Sequence, residues 1–186
     1  MVWLKEIFDL AGSLICHQMP ERTLSADGIP LPVCARDMGI YAGIFVSTLF
    51  LLALGRWKAR KPPGRAVSVV MCLFMMPMIL DGGLSYLGIT TSDNVSRVVT
   101  GVLFGIPIPV FLIPAAHFSV KGGNTEAVLK NWAELLPLYG LGIILSLFLL
   151  NGLVPYLAAA LIFVFGLVFL LSRLSYTIIK RCGKFK

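Results

Sequence analysis

The sequence predicts an all-α integral membrane protein that crosses the bilayer about five times. Three observations predict this class. Of the 186 residues, 58% are hydrophobic and 13% are charged, whereas soluble domains are roughly 45–50% apolar and about 25% charged. The mean hydropathy is +0.88. Long uncharged runs alternate with short basic loops, which is expected where lipid surrounds most of the chain.

The N-terminal segment 2–15 is predicted to be a short helix in the membrane interface. Its apolar residues recur at helical spacing, and Lys5, Glu6 and Asp9 form one polar edge. The segment is too short to span a bilayer, so we expect it to lie on the outer surface. With the outer loop that follows, it makes up residues 1–36 of a single membrane domain, 1–186, whose helix bundle occupies residues 37–186.

Five apolar runs can each cross the hydrocarbon core, which requires roughly 20 helical residues. Asp81 interrupts the second run, and His117 is the one ionisable residue of the third. Asn151-Gly152 predicts a tight turn between the last two runs, which would form an antiparallel pair. The predicted spans are residues 38–55, 66–88, 98–120, 135–150 and 153–171, the last extended to 179.

Two pairs of small residues predict close approach between helices. They are Gly39-xxx-Gly43 in the first span and Gly101-xxx-Gly105 in the third. Glycines four residues apart lie on one face of a helix, where a neighbouring backbone can come near.

The distribution of basic residues predicts the orientation. Five Lys and Arg residues lie within 56–65, and five more lie within 173–186. Cytoplasmic loops carry an excess of Lys and Arg, so we expect the N-terminus outside and the C-terminus inside the cell. The formal net charge of +7 does not indicate a nucleic-acid partner, because the positive charge flanks apolar spans.

Polar residues from four separate segments are predicted to meet at the outer membrane boundary. If the orientation is correct, all four segments lie at the same depth. They are Cys16-His17-Gln18, Cys34-Ala35-Arg36-Asp37, Asp81-Gly82-Gly83 and the stretch from Ser92 to Arg97.

These segments carry a family resemblance. The pattern Cys-His-Gln-x-Pro-Glu-Arg at 16–22, with Pro-x-Cys-Ala-Arg-x-x-Gly-Ile-Tyr-x-Gly at 32–43, resembles a family of small prokaryotic membrane proteins that is known as a domain of unknown function. The later Asp-Gly at 81–82, Ser-x-Asn-x-x-Arg at 92–97 and Thr-Gly at 100–101 match as well. The resemblance covers roughly residues 14–105 and implies no activity. In that family a second cysteine commonly lies three residues after the one matching Cys34, where this chain has Asp37.

The cysteines of the cluster allow two interpretations. Cys16 or His17, together with Cys34 and Asp37, would form a metal site, since thiolate, imidazole and carboxylate are all zinc ligands. Adjacent helical side chains diverge by about 100°, so Cys16 and His17 can both bind only from an irregular backbone. Alternatively, Cys16 and Cys34 form a disulfide in an oxidising exterior.

The charged residues also allow two interpretations. His17, Arg36, Asp81 and Arg97 are candidate catalytic residues, with the arginines holding phosphate through forked hydrogen bonds. No complete nucleophile–base or phosphatase motif accompanies them. In the structural alternative, Arg36, Asp37, Asp81 and Arg97 pair with one another and join the helix ends.

The small size, the short loops and the glycine faces favour an accessory or structural subunit of a larger membrane complex, of a redox or transport type. The alternatives are an outer-leaflet enzyme acting on a lipid-linked or prenyl substrate and a metal- or thiol-based membrane site, for which zinc is the expected cofactor. We expect a multi-pass protein of the plasma membrane. Its partners would be the lipid bilayer and either other membrane subunits or further copies of the chain.

Overall fold

The computed structural model describes residues 2–119 and 122–182, which form seven α-helices, a short 3-10 turn at Pro20–Arg22 and one antiparallel β-hairpin. The predicted N-terminal helix is present as α1, Val2–Ser13, and the remaining helices follow the predicted spans. The other elements are β1 Thr23–Ala26, β2 Ile29–Cys34, α2 Ala35–Ala53, α3 Arg65–Tyr86, α4 Asn94–Gly105, α5 Pro107–His117, α6 Trp132–Leu150 and α7 Tyr156–Cys182.

Five helical segments of this described part are long and apolar enough to cross a membrane, which confirms the predicted fold class. The third span consists of two helices, α4 and α5, because Pro107 has no N–H to continue the hydrogen-bond ladder. Val120, the predicted end of that span, lies outside the described residues, as do the basic residues from position 183 onward.

Helix α2 forms the centre of the bundle and packs most closely against α4. A Cβ atom on Gly101 would lie 2.4 Å from the Arg36 carbonyl oxygen, and one on Gly105 would lie 2.2 Å from the Ile40 carbonyl oxygen. Gly39 and Gly43 face the α4 backbone in the same way. The two predicted glycine pairs therefore pack on each other, and any side chain there would separate the helices.

The region expected as an outer loop contains the β-hairpin. Asp27 and Gly28 connect its strands with φ angles of 53° and 72°, which is the conformation of a two-residue type I′ turn. The Asp27 carboxylate also accepts a hydrogen bond from the Tyr156 backbone N–H at 2.8 Å. The hairpin is thereby attached to the N-terminus of α7.

The helices alternate in direction, so the bundle has two distinct ends. We call the end that carries α1, the hairpin and the N-termini of α2, α4 and α7 the hairpin end. We call the end with the loops 54–64 and 122–131 the basic end. At the basic end the two loops exchange backbone hydrogen bonds, among them Lys61 N–H to Glu126 O at 3.0 Å and Val128 N–H to Lys61 O at 3.0 Å.

Candidate functional site

Three of the predicted metal ligands meet at the hairpin end. The Cys34 backbone N–H donates to Cys16 Sγ at 3.4 Å, and Cys34 Sγ donates to the Asp37 carboxylate at 3.3 Å. One ligand atom from each of the three residues lies within 4.8 Å of the other two, and all three side chains are half-buried. Residues 18 positions apart in sequence are thus brought to one point.

An irregular backbone after α1 allows this arrangement. Gln18 has a φ of 49°, and its side-chain amide donates to the carbonyl oxygens of Asp9 and Pro32, both at 2.8 Å. Gly12 packs directly on the hairpin, since a Cβ there would lie 1.9 Å from the Pro32 oxygen. These contacts hold the segment that carries Cys16 against the end of β2, where Cys34 leads into α2.

The two thiols differ in acidity. The adjacent Cys34 side chain, followed by the backbone N–H groups of Gln18 and Cys34, lowers the pKa of Cys16 to about 6. The neighbouring Cys16 side chain, together with burial, raises the pKa of Cys34. Cys16 is therefore the more acidic of the two thiols. The structure has Cys16 and Cys34 as two separate thiols.

A cavity of about 370 Å³ opens beside the three ligands. His17 is exposed and lines this cavity but is not part of the three-residue cluster. Arg22, Arg36 and Tyr86 also line the cavity, and Tyr86 is a lining residue that the sequence interpretation did not include.

The predicted network of four charged residues forms one pair. Arg36 donates to Asp81 at 2.5 Å, and Ser92 donates to the other oxygen of the same carboxylate. This joins the start of α2 to the end of α3. Asp37 contacts Cys34 and not an arginine. Arg97 has no carboxylate oxygen within 4.0 Å among the described residues.

A second arginine–carboxylate pair, at the basic end, was not predicted. Arg56 donates two hydrogen bonds to Glu134, at 2.5 and 2.7 Å. The bond to Glu134 raises the pKa of Arg56. Nothing in the sequence indicates that residues 78 positions apart would meet, so Arg56 was interpreted only as part of a basic loop.

Larger apolar grooves run along the sides of the helices. One of about 730 Å³ includes Phe45, Trp57 and Phe165 in its lining, and another of about 450 Å³ lies between α2 and α6. Their walls are almost entirely apolar and include no charged side chain. They can therefore contact lipid or another helix, but they do not form a reactive site.

Comparison with known proteins places this end of the molecule in a described family. The profile of the family "Predicted membrane protein (DUF2085)" matches residues 16–111, a range that contains the whole cluster. A protein of Methanocaldococcus jannaschii, "Uncharacterized protein MJ1492", is 32% identical over 102 residues, which are 55% of this chain and 64% of that relative. An "Uncharacterized protein" of Methanothermobacter thermautotrophicus is 36% identical over 104 residues, 55% of this chain and 88% of the relative. No solved structure matches the chain at a significant level.

Proposed function

This chain belongs to the DUF2085 family of predicted membrane proteins, and we propose that it binds a zinc-type divalent cation at its hairpin end. The observation that carries the proposal is the convergence of Cys16, Cys34 and Asp37, whose ligand atoms lie within 4.8 Å of one another. In a tetrahedral site with zinc–sulfur bonds of about 2.3 Å, ligand atoms lie roughly 3.8 Å apart. The three side chains therefore need only small shifts to bind the ion together.

Three protein ligands leave one coordination position open. Structural zinc sites are closed by four protein ligands, whereas catalytic sites keep a position for water or substrate. Here the open position would face the cavity of about 370 Å³. This arrangement fits the outer-leaflet enzyme interpretation better than a purely structural metal site, unless His17 moves to supply the fourth ligand.

Metal analysis of the purified protein tests the proposal. The chain is extracted in a mild detergent without chelators, and zinc per chain is measured for Cys16→Ser, Cys34→Ser and Asp37→Asn. Cys72→Ser is the matched control, because Cys72 is an exposed thiol on α3, away from the site. We expect about one zinc per chain in the native protein and in the control, and little in the three ligand variants.

Two results would overturn the metal proposal. One is native protein without bound metal whose Cys16 and Cys34 both react with an alkylating reagent. The other is a Cys16–Cys34 disulfide in protein taken directly from membranes, which would make this a thiol redox site.

We also propose that the chain lies in the plasma membrane with its hairpin end outside the cell. The support is the concentration of Lys and Arg in the loops of the basic end. A membrane-impermeant maleimide applied to intact cells should label a cysteine placed at Asn151, which is exposed at the hairpin end, and not one placed at Lys58. The opposite labelling pattern would invert the orientation.

A role as a subunit of a larger membrane complex is a second candidate. Helix α3 favours it, since only 11% of its most apolar stretch is buried, against 61% for α2. A Cβ on Gly83 of α3 would meet no atom within 4 Å, so another helix can approach closely there. Purification from native membranes should then yield stoichiometric partners that Gly83→Leu abolishes. A monomer in the same preparation would count against this role.

A further inference from the structure

Three guanidinium groups lie together at the hairpin end, and one of them has a carboxylate partner. Arg36 is paired with Asp81 at 2.5 Å. Among residues 2–119 and 122–182, no carboxylate oxygen lies within 4.0 Å of Arg22 or Arg97. Two of the three arginines therefore have no direct carboxylate partner in this part of the chain.

Arg97 is the most buried of the three arginines. The residue is 7% exposed, and its guanidinium donates to Asn94 Oδ1 at 3.3 Å. A guanidinium has five N–H donors, so most of them have no acceptor among the described residues. A buried charge is costly when neither water nor a counter-ion compensates it. The Nε and Nη2 atoms of Arg97 are not among the fully buried unpaired atoms of the described residues, so water reaches them and an anion can take its place.

Arg22 and Arg36 place the charge where an anion can reach it. Both line the cavity of about 370 Å³, and the charges of both, opposed by those of Cys34 and Asp81, act on Arg97. Asn94 connects the two regions, because its side-chain N–H group donates to the Glu21 carbonyl oxygen at 3.5 Å. The Nε atom of Arg36 is buried and has no hydrogen-bond partner among the described residues.

We infer that the arginine side of this cavity binds a phosphate group, either of a lipid headgroup or of free phosphate. Guanidinium forks match the oxygen spacing of phosphate and form two parallel hydrogen bonds. A tetrahedral phosphate can be shared by arginines that approach from different elements, as Arg22 and Arg36 do here. Cys16, Cys34 and Asp37 line the same cavity, and the Asp37 carboxylate repels an anion, so the phosphate would be held by the arginines.

This inference goes beyond the metal proposal, since it depends only on the arginines. The two proposals fail separately. A protein that binds phosphate but no metal would contradict only the metal proposal. A protein that binds metal but no phosphate would contradict only the phosphate inference.

The test is a binding titration of the purified protein in detergent at constant ionic strength. The probes are inorganic phosphate, dioctanoyl phosphatidic acid and, as the uncharged lipid control, dioctanoylglycerol. The variants are Arg22→Gln and Arg97→Gln. Arg60→Gln is the matched control, because Arg60 is an exposed arginine at the basic end.

We expect Arg22→Gln to raise the Kd for phosphatidic acid at least tenfold, and Arg60→Gln to change it less than twofold. Arg22 is exposed, so this variant remains informative even where Arg97→Gln does not fold. A phosphatidic acid Kd tenfold below that of inorganic phosphate assigns the site to lipid, and similar values assign it to free phosphate.

Equal effects of Arg22→Gln and Arg60→Gln would overturn the inference, as would equal binding of dioctanoylglycerol and phosphatidic acid. The titration is also made with Cys34→Ser, which should bind within about twofold of the native protein. Phosphate binding that disappears in Cys34→Ser and persists in Arg22→Gln would assign the anion to the metal ligands and contradict the inference.

Discussion

The two ends of the bundle are each joined by an arginine–carboxylate pair, but the pairs have different surroundings. At the basic end, Arg56 binds both oxygens of Glu134 and also the Val128 carbonyl oxygen at 3.2 Å. Glu134 accepts a further hydrogen bond from the Lys130 N–H at 2.7 Å. Donors and acceptors here are matched within the protein.

At the hairpin end the matching is incomplete. Arg36 and Ser92 occupy the two oxygens of Asp81, while the Nε atom of Arg36 has no partner among the described residues. Arg97 is buried without a carboxylate in that same part of the chain. A charge network that is complete within the protein needs no ligand, whereas an incomplete one gains stability when a ligand binds. We therefore interpret the basic end as structural and the hairpin end as the binding site.

The largest expected effect would test the structural role of the basic end. Arg56→Met leaves the Glu134 carboxylate without its charge partner in a site where Arg56 is 7% exposed. Removing one partner of a buried pair costs about 3 kcal/mol, measured as the free energy of unfolding in detergent. The double variant Arg56→Met/Glu134→Leu should recover at least half of that loss, because no unpaired charge remains. A single variant as stable as the native protein would contradict the assignment.

Metal removal should have the next largest effect on stability. That effect should come only from the proposed metal site at the hairpin end. A ligand present at about 100 times its Kd stabilises the folded state by about 2.7 kcal/mol. Treating the native protein with a chelator should therefore lower its melting temperature, and Cys34→Ser should already melt at the lower temperature. A chelator effect of equal size in Cys34→Ser would show that the metal binds elsewhere.

Asp81→Asn should have an intermediate effect at the hairpin end. It removes the charge partner of Arg36 but keeps an oxygen for Ser92, and the pair is partly exposed, with 20% of the Asp81 side chain accessible. We expect a loss of about 1 kcal/mol, less than for Arg56→Met. The same variant should bind phosphate more tightly, because Arg36 is released from its carboxylate. Weaker phosphate binding in Asp81→Asn would contradict the inference that Arg36 contributes to the phosphate site.

The smallest effect on stability is expected from Arg97→Met in the absence of phosphate. No carboxylate oxygen of the described residues lies within 4.0 Å of Arg97, and methionine preserves much of its packing. We expect a change of less than about 1 kcal/mol in the free energy of unfolding. Added phosphate should stabilise the native protein and not this variant. A loss as large as that of Arg56→Met would remove the contrast between the two ends.

The sequence predicts the features that depend on local chemistry. Apolar runs determine where the chain can cross lipid, so the five spans were predicted to within a few residues. The spacing of Gly39, Gly43, Gly101 and Gly105 predicted close helix approach. The polar segments were all predicted to lie at the outer membrane boundary. This predicted that Cys16, Cys34 and Asp37 would lie near one another.

Features that depend on pairing between distant segments were not predictable in this way. The Arg56–Glu134 pair requires the packing of α2 beside α6, which hydropathy does not encode. For the same reason, hydropathy and spacing do not decide that Arg36 rather than Arg97 pairs with Asp81. The hairpin did have a signal, since Asp27-Gly28 between apolar residues is a strong indication of a two-residue turn.

The most direct test of the account is zinc X-ray absorption spectroscopy of the native protein with zinc bound. A site formed by Cys16, Cys34 and Asp37 predicts two sulfur neighbours at about 2.3 Å, with the remaining neighbours being oxygen or nitrogen. Cys34→Ser should reduce the sulfur count to one, and Cys72→Ser should leave it at two. A spectrum with only oxygen and nitrogen neighbours would contradict the account, because the metal would then lie away from the hairpin-end thiols.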